Sequence, residues 1–297
     1  MASSLWMVFT LLAAAGQTAR NAMQRELTAT LGTVGATHVR FLFGFPFAII
    51  FLAGVLSVTA SPLPWPGLMF WPWVLLGAFA QILATALMLA AMNDRSFVVT
   101  IVYTKTEVIQ AAVFGLLFLG DRLTLPMVIA ILIATAGVVL MSFKGNAPVA
   151  GGLKPTLLGL ASGGMLALSV TGFRGAILSL GLPNFVLAAT FTLAIGLALQ
   201  SILLTLYLAI RDRAVMIAIA RAWRPSLFAG FMGGTASQFW FLAFALTSAA
   251  NVRTLGLAEV LFAQAISIFV FGQPTTRREA AGMALIVAGV ALLVWTV

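Results

Sequence analysis

The chain has 297 residues, 62% of them hydrophobic and 8% charged, with a mean hydropathy of +1.12. A domain solvated by water carries roughly 25% charged residues, so this composition excludes an ordinary soluble protein and points to lipid as the main solvent. The 16 Lys and Arg against 7 Asp and Glu do not signal nucleic acid, because they are scattered between apolar segments and form no basic stripe.

Ten apolar runs predict ten transmembrane helices, at 4–23, 37–58, 71–92, 97–119, 125–143, 156–179, 185–209, 226–247, 251–271 and 279–296. Hydrocarbon leaves no water to satisfy backbone polar groups, so continuous runs of this length fold as helices; barrel strands would be short and alternating. The first run has no preceding basic region and no distinct cleavage site, and reads as a retained helix. Ser61-Pro62-Leu63-Pro64-Trp65-Pro66 cannot continue a helix and, with Trp71 and Trp73, reads as an interfacial turn with an aromatic anchor. The polar, Gly/Pro-rich stretch from Phe143 to Pro155 is the joint between two halves.

The fourth and ninth runs each carry an acid near their middle, Glu107 and Glu259, 152 positions apart. Under the same shift Gly120 meets Gly272, Thr124 meets Thr276, and Ala136-Gly137-Val138 meets Ala288-Gly289-Val290. The predicted fold is therefore all-α and integral to the membrane, with residues 1–148 and 149–297 as two five-helix repeats forming one transport domain. An odd number of spans per repeat inverts the second relative to the first.

A charge near mid-bilayer costs roughly 2.5 to 3.5 kcal/mol on translocon scales, so charged groups there turn toward partners or water. At 100° per residue Tyr103, Thr106, Glu107, Gln110 and Phe114 share a polar and aromatic face of the fourth helix, the candidate substrate surface. Lys105 falls nearly opposite Glu107 and needs another partner, either Glu259 or backbone carbonyls. Glu259, among Leu255, Phe262, Ala263 and Ile266, looks more isolated and drier, which makes it the candidate proton carrier. Lys105, Glu107 and Glu259 form the candidate charge-coupling set, with a structural salt bridge as the alternative. Arg253 and Gln264 fall on another face and read as interfacial and packing residues.

Gln17 and Asn21 in the first helix, Gln81 in the third, and Gln238 with Trp240 in the eighth are further cavity candidates, with interhelical hydrogen bonding as the alternative. Arg20 and Arg174, at matching repeat positions, and Arg40 are candidates for anion binding at the cavity mouths; snorkelling to headgroups is the bland reading. Gly159-xxx-Gly163 and Gly233 with Ser237 allow close helix approach, while Gly163-Gly164 and Gly233-Gly234 offer bending points. The lone His38 makes a poor metal site, and no cysteine is present to serve as thiolate ligand or nucleophile. No metal, cofactor or catalytic residue is expected.

Counted by side, the connections facing the termini hold Arg122, Arg174 and Arg253, while twelve basic residues, including Arg211, Arg213, Arg221 and Arg224, fall on the other side. Positive-inside logic places both termini outside the cytoplasm.

Three stretches resemble EamA-type members of the drug/metabolite transporter superfamily. They are Thr37-His38-Val39-Arg40-Phe41-Leu42, Phe118-Leu119-Gly120-Asp121-Arg122-Leu123-Thr124, and the two Ala-Gly-Val helices at 131–140 and 284–292. The resemblance covers nearly the whole chain and implies a ten-helix permease, usually drawn with both termini cytoplasmic, in contrast to the charge count. This chain departs from the family in three ways. Gly272-Gln273-Pro274-Thr275 replaces the acidic turn of the second repeat, no counterpart of Arg40 occurs there, and Glu107 stands near the usual proline of the fourth helix. The expected function is alternating-access transport of small organic solutes through a central cavity, with proton coupling as one mode. By analogy the solutes are amino-acid-like metabolites or drugs, and the direction is export. The expected partners are substrate, protons and the lipid bilayer of a bacterial inner membrane, not nucleic acid, and the expected working unit is a monomer. A flippase for polar or lipid-linked substrates is the alternative.

Overall fold

The computed structural model describes residues 2–94, 103–142, 153–269 and 276–296, and every regular element among them is helical. Helix α1 (Ala2–Thr59) carries both of the first two expected spans, interrupted at Gly32, whose φ of 64° and ψ of 178° suit a residue without Cβ. After the proline turn, in which Leu63 and Trp65 are exposed and Pro64 is buried, comes α2 (Phe70–Asp94). The fourth run contributes α3 (Glu107–Phe114), which widens into a π-helical turn at Gly115–Leu119 and stops at Gly120, with φ 67°. Helices α4 (Leu125–Ser142), α5 (Leu153–Ser179) and α6 (Phe185–Arg211) follow. The expected loop after α6 instead contains a nine-residue helix, α7 (Arg213–Arg221), before α8 (Trp223–Leu246). The ninth run is two helices, α9 (Ala249–Gly256) and α10 (Ala258–Phe269), and α11 (Arg277–Thr296) ends the chain.

Six stretches among the described residues are long and apolar enough to cross a membrane: Val34–Thr59, Phe70–Met88, Leu157–Ser179, Phe185–Arg211, Trp223–Leu246 and Arg277–Thr296. Ser4–Thr18 and Leu125–Met141 are shorter apolar helices. The core of the joint, at 143–152, and the Gly272-Gln273-Pro274-Thr275 turn lie outside the described residues.

The helices form two compact units, and each takes segments from both halves of the chain. The first comprises Met1–Phe79 and Gly172–Thr247. There α1 packs along α8 and α6, with Gly230 against Phe43 and Gly234 against Gly44. The second comprises Ala80–Thr171 and Ser248–Val297, with α4 lying along α11.

Lipid tails are as apolar as Leu, so helices in a membrane associate largely through close packing. The α4–α11 contact meets that need with glycine. A Cβ on Gly137 would lie 2.6 Å from the Gly282 carbonyl oxygen, and one on Gly289 would lie 2.6 Å from the Ala134 nitrogen. These are the central glycines of the two Ala-Gly-Val motifs. Gly137→Ala will therefore destabilise the protein by about 1–3 kcal/mol through overpacking against backbone that cannot yield. Thermal unfolding in detergent checks this; an unchanged midpoint would show that the helices can part at no cost.

The paired glycines serve packing and not bending. Gly163-Gly164 and Gly233-Gly234 both sit inside uninterrupted helices, α5 and α8. Gly159 and Gly163 lie against Tyr103 and the Thr104 carbonyl, where a side chain would collide. The kink occurs at Gly32, and single turn residues interrupt the helices at Thr106 and Leu257.

Candidate functional site

Both acid-bearing segments are broken helices. Tyr103–Lys105 is helical, Thr106 is a turn, and α3 starts at Glu107. Likewise α9 ends at Gly256, Leu257 is a turn, and α10 starts at Ala258. Each break is closed by a tightened turn: Thr106 N–H donates to the Tyr103 carbonyl at 3.2 Å, and Leu257 N–H to the Thr254 carbonyl at 3.1 Å. The two turns fall within one residue of the 152-residue shift.

A break exposes the amide end of the helix that follows it, and that end favours negative charge. Glu107 and Glu259 occupy the first turns of α3 and α10.

Two ion pairs join these segments crosswise. Arg253 on α9 pairs through Nη2 with Glu107 Oε1, and Lys105 pairs through Nζ with Glu259 Oε1. All four side chains are largely buried, with Glu107 only 3% exposed. Lys105 also lies within electrostatic reach of Glu107 and Arg253, so the four act as one cluster. With two cations and two carboxylates ionised, its charges cancel, which lowers the cost of holding it in an apolar setting. Glu107 Oε2 is buried and accepts no hydrogen bond.

Polar side chains extend the cluster along α3. Thr106 Oγ1 donates to the Tyr103 carbonyl at 2.6 Å, and Gln110 Nε2 donates to Thr106 Oγ1 at 3.0 Å and to the Leu160 carbonyl of α5 at 3.4 Å. Tyr103, Thr106 and Gln110 are partly exposed, and Glu107 is buried.

This geometry corrects two expectations. Glu259 is not isolated, because Lys105 faces it. Arg253 is not an interfacial residue but the buried partner of Glu107. Both errors have one cause: the faces of a helix say which residues share a side, but the partners here come from the other segment, brought opposite only by the fold. The available signal was the pattern itself, a cation ahead of an acid in each segment, Lys105 before Glu107 and Arg253 before Glu259.

In the first unit the predicted polar residues link helices. Trp240 Nε1 donates to Gln17 Oε1 at 3.1 Å, tying α8 to α1, and Gln238 Nε2 donates to Thr190 Oγ1 at 2.7 Å, tying α8 to α6. Arg174 is buried in α5 and donates to the carbonyls of Phe244, at 2.7 Å, and Thr247 at the end of α8. Its guanidinium caps a helix C-terminus, so neither snorkelling nor an open cavity mouth describes it. With Arg174 and Arg253 both inside helices and engaged, Arg122 alone remains of the three basic residues assigned to loops on the terminal side.

His38, fully buried, shares a hydrogen bond of 3.1 Å with Thr205. Arg40 is half-buried, with its guanidinium 5.3 Å from the Phe41 ring centroid. Gln81 is half-buried on α2 in the second unit. Arg20 and Asn21 lie on α1, and their side chains are outside the described set. Among the described residues no group of three or more His, Asp or Glu could hold a metal ion.

Comparison with known proteins agrees with this architecture. Residues 4–143 match the EamA-like transporter family. That segment belongs to the family. Proteins of the EamA-like family are membrane transporters and not enzymes, and the apolar helices make this chain an integral membrane protein. The segment includes Lys105 and Glu107, while Arg253 and Glu259 lie beyond it. No curated protein matches the chain. One crystal structure, titled only as that of a protein, is similar with a TM-score of 0.75 at 16% identity, covering 98% of this chain and 94% of that one. At that identity the likeness concerns the fold.

Proposed function

We propose that the chain is a secondary transporter of small organic solutes, working by alternating access, whose ion-pair cluster opens and closes during the cycle. The observation that carries this reading is the pair of helix breaks at Thr106 and Leu257, each followed by a buried acid that binds a cation from the other segment. Broken helices at matching positions of two repeats are a device by which membrane transporters present helix ends and charges to a substrate.

The architecture used by this reading is two inverted five-helix repeats, 1–148 and 149–297, crossing the membrane ten times. Support comes from the matched breaks and from the two Ala-Gly-Val motifs meeting in the α4–α11 contact. Tyr103, Thr106 and Gln110 form the substrate face beside Glu107, and Glu259 with Lys105 forms the proton-coupling pair. The solutes are amino-acid-like metabolites or drugs, exported across a bacterial inner membrane by a monomer; membership of the EamA-like segment in a transporter family supports that class.

The test is flux in proteoliposomes holding the purified protein, with a panel of zwitterionic, cationic and anionic solutes, with and without a proton gradient. At least one solute will show saturable counterflow, and an imposed gradient will drive its accumulation. Flux that rises linearly with concentration for every solute would sink the carrier reading.

A further inference from the structure

The loop between α6 and α8 carries a feature that transport does not use. At about 1.5 Å per residue, nine-residue α7 spans about 13.5 Å, too short for a hydrocarbon core of about 30 Å. It joins the ends of two membrane-crossing helices, so it lies at the membrane surface.

One side of α7 is anchored. Ile219 is buried in a cluster with Leu31, Ala36 and Leu208, and Val215 packs over Gly35. The other side is exposed and mixes apolar and cationic groups. Ile217 is 55% exposed and Trp223, just beyond the helix, 51%. Arg211, Arg213, Arg221 and Arg224 are all exposed around them. The one acid of the loop, Asp212, is committed to the helix start, where its Oδ1 accepts from Val215 N–H at 3.2 Å.

Between α7 and the segment just below the Gly32 break lies an open hollow of about 620 Å³, lined by Leu31, Ala214, Ile217, Ala218, Arg221 and Pro225 among others. Its walls are apolar and Arg221 stands on its lining. We propose that this hollow is a binding site for one anionic phospholipid, whose acyl chain lies on Leu31, Ile217 and Ala218 while Arg221 holds its phosphate. Charge complementarity selects the occupant: four arginines and one engaged acid face a leaflet surface that supplies anionic headgroups. The apolar walls require an acyl chain and not a headgroup alone. The hollow belongs to the first unit and the ion-pair cluster to the second, so the proposal does not depend on what the transporter carries.

Native mass spectrometry of the purified full-length protein, titrated with phosphatidylglycerol or phosphatidylcholine of identical chains, tests it. One phosphatidylglycerol will be retained in preference to phosphatidylcholine, and Arg221→Gln will weaken that retention about fivefold, the effect of one interfacial arginine. Ala214→Trp fills the hollow from an exposed position and will also abolish retention, whereas Ala220→Trp, exposed but not lining it, will leave retention intact. Equal retention of both lipids, or retention unchanged in Arg221→Gln and Ala214→Trp, would overturn the proposal. Displacement by excess inorganic phosphate would likewise overturn it, by showing that the headgroup alone is bound.

Discussion

Arg253→Ala will destabilise the purified protein by about 3–5 kcal/mol, the loss expected when one partner of a buried ion pair is removed and the other keeps its charge. Glu107 is only 3% exposed and already has one carboxylate oxygen without a hydrogen bond. Removing the guanidinium leaves it, among the described residues, facing the Lys105 charge, which is engaged by Glu259. Glu107→Gln in the same background removes the orphaned charge, so Arg253→Ala/Glu107→Gln will recover most of the loss. Chemical denaturation in detergent of the wild type, both single variants and the double variant gives the coupling directly. Effects that add, or a single-variant loss below about 1 kcal/mol as for exposed pairs, would show that the pair is open to water and contributes little.

Glu259→Gln will abolish accumulation driven by a proton gradient while solute exchange continues. This rests on the proposed transport reading and separates a coupling role from a structural one. Glu to Gln keeps the size and most of the hydrogen bonding of the side chain but removes its exchangeable charge. The pair with Lys105 can then no longer be broken by protonating the acid, which is the step through which a proton gradient acts on the cluster. Solute-driven opening does not need that step, so counterflow persists. The measurement is counterflow and gradient-driven uptake by the same vesicles over a pH series, with protein orientation established. Wild-type accumulation in Glu259→Gln would mean that the residue serves only as a hydrogen-bonding partner of Lys105. Glu107→Gln will behave differently, because it leaves the Arg253 guanidinium without its buried partner and lowers stability as well as transport.

Much of the outline of this protein was legible in its residues because hydrocarbon admits few backbone solutions. Apolar runs of sufficient length must be helices, prolines at 62, 64 and 66 must turn the chain, and charged groups amid such runs must find partners. The match of Glu107 with Glu259 and of the two Ala-Gly-Val motifs could likewise be read along the chain, and so could the need of Lys105 for a distant acid.

What the sequence could not decide was which helices face each other. Face assignments at 100° per residue say which residues share one side of a helix, and nothing of which helix lies against that side. Only the tertiary structure could therefore pair Arg253 with Glu107 and decide between Glu259 and backbone carbonyls as the partner of Lys105. The same limit applied to Arg174, whose position near a helix end suggested headgroups, until the end of α8 was found against it with carbonyls to be capped. Composition and length determine that a segment is a helix and that its charges must be satisfied; which neighbour satisfies them depends on contacts between residues up to 154 positions apart, and those exist only once the chain has folded.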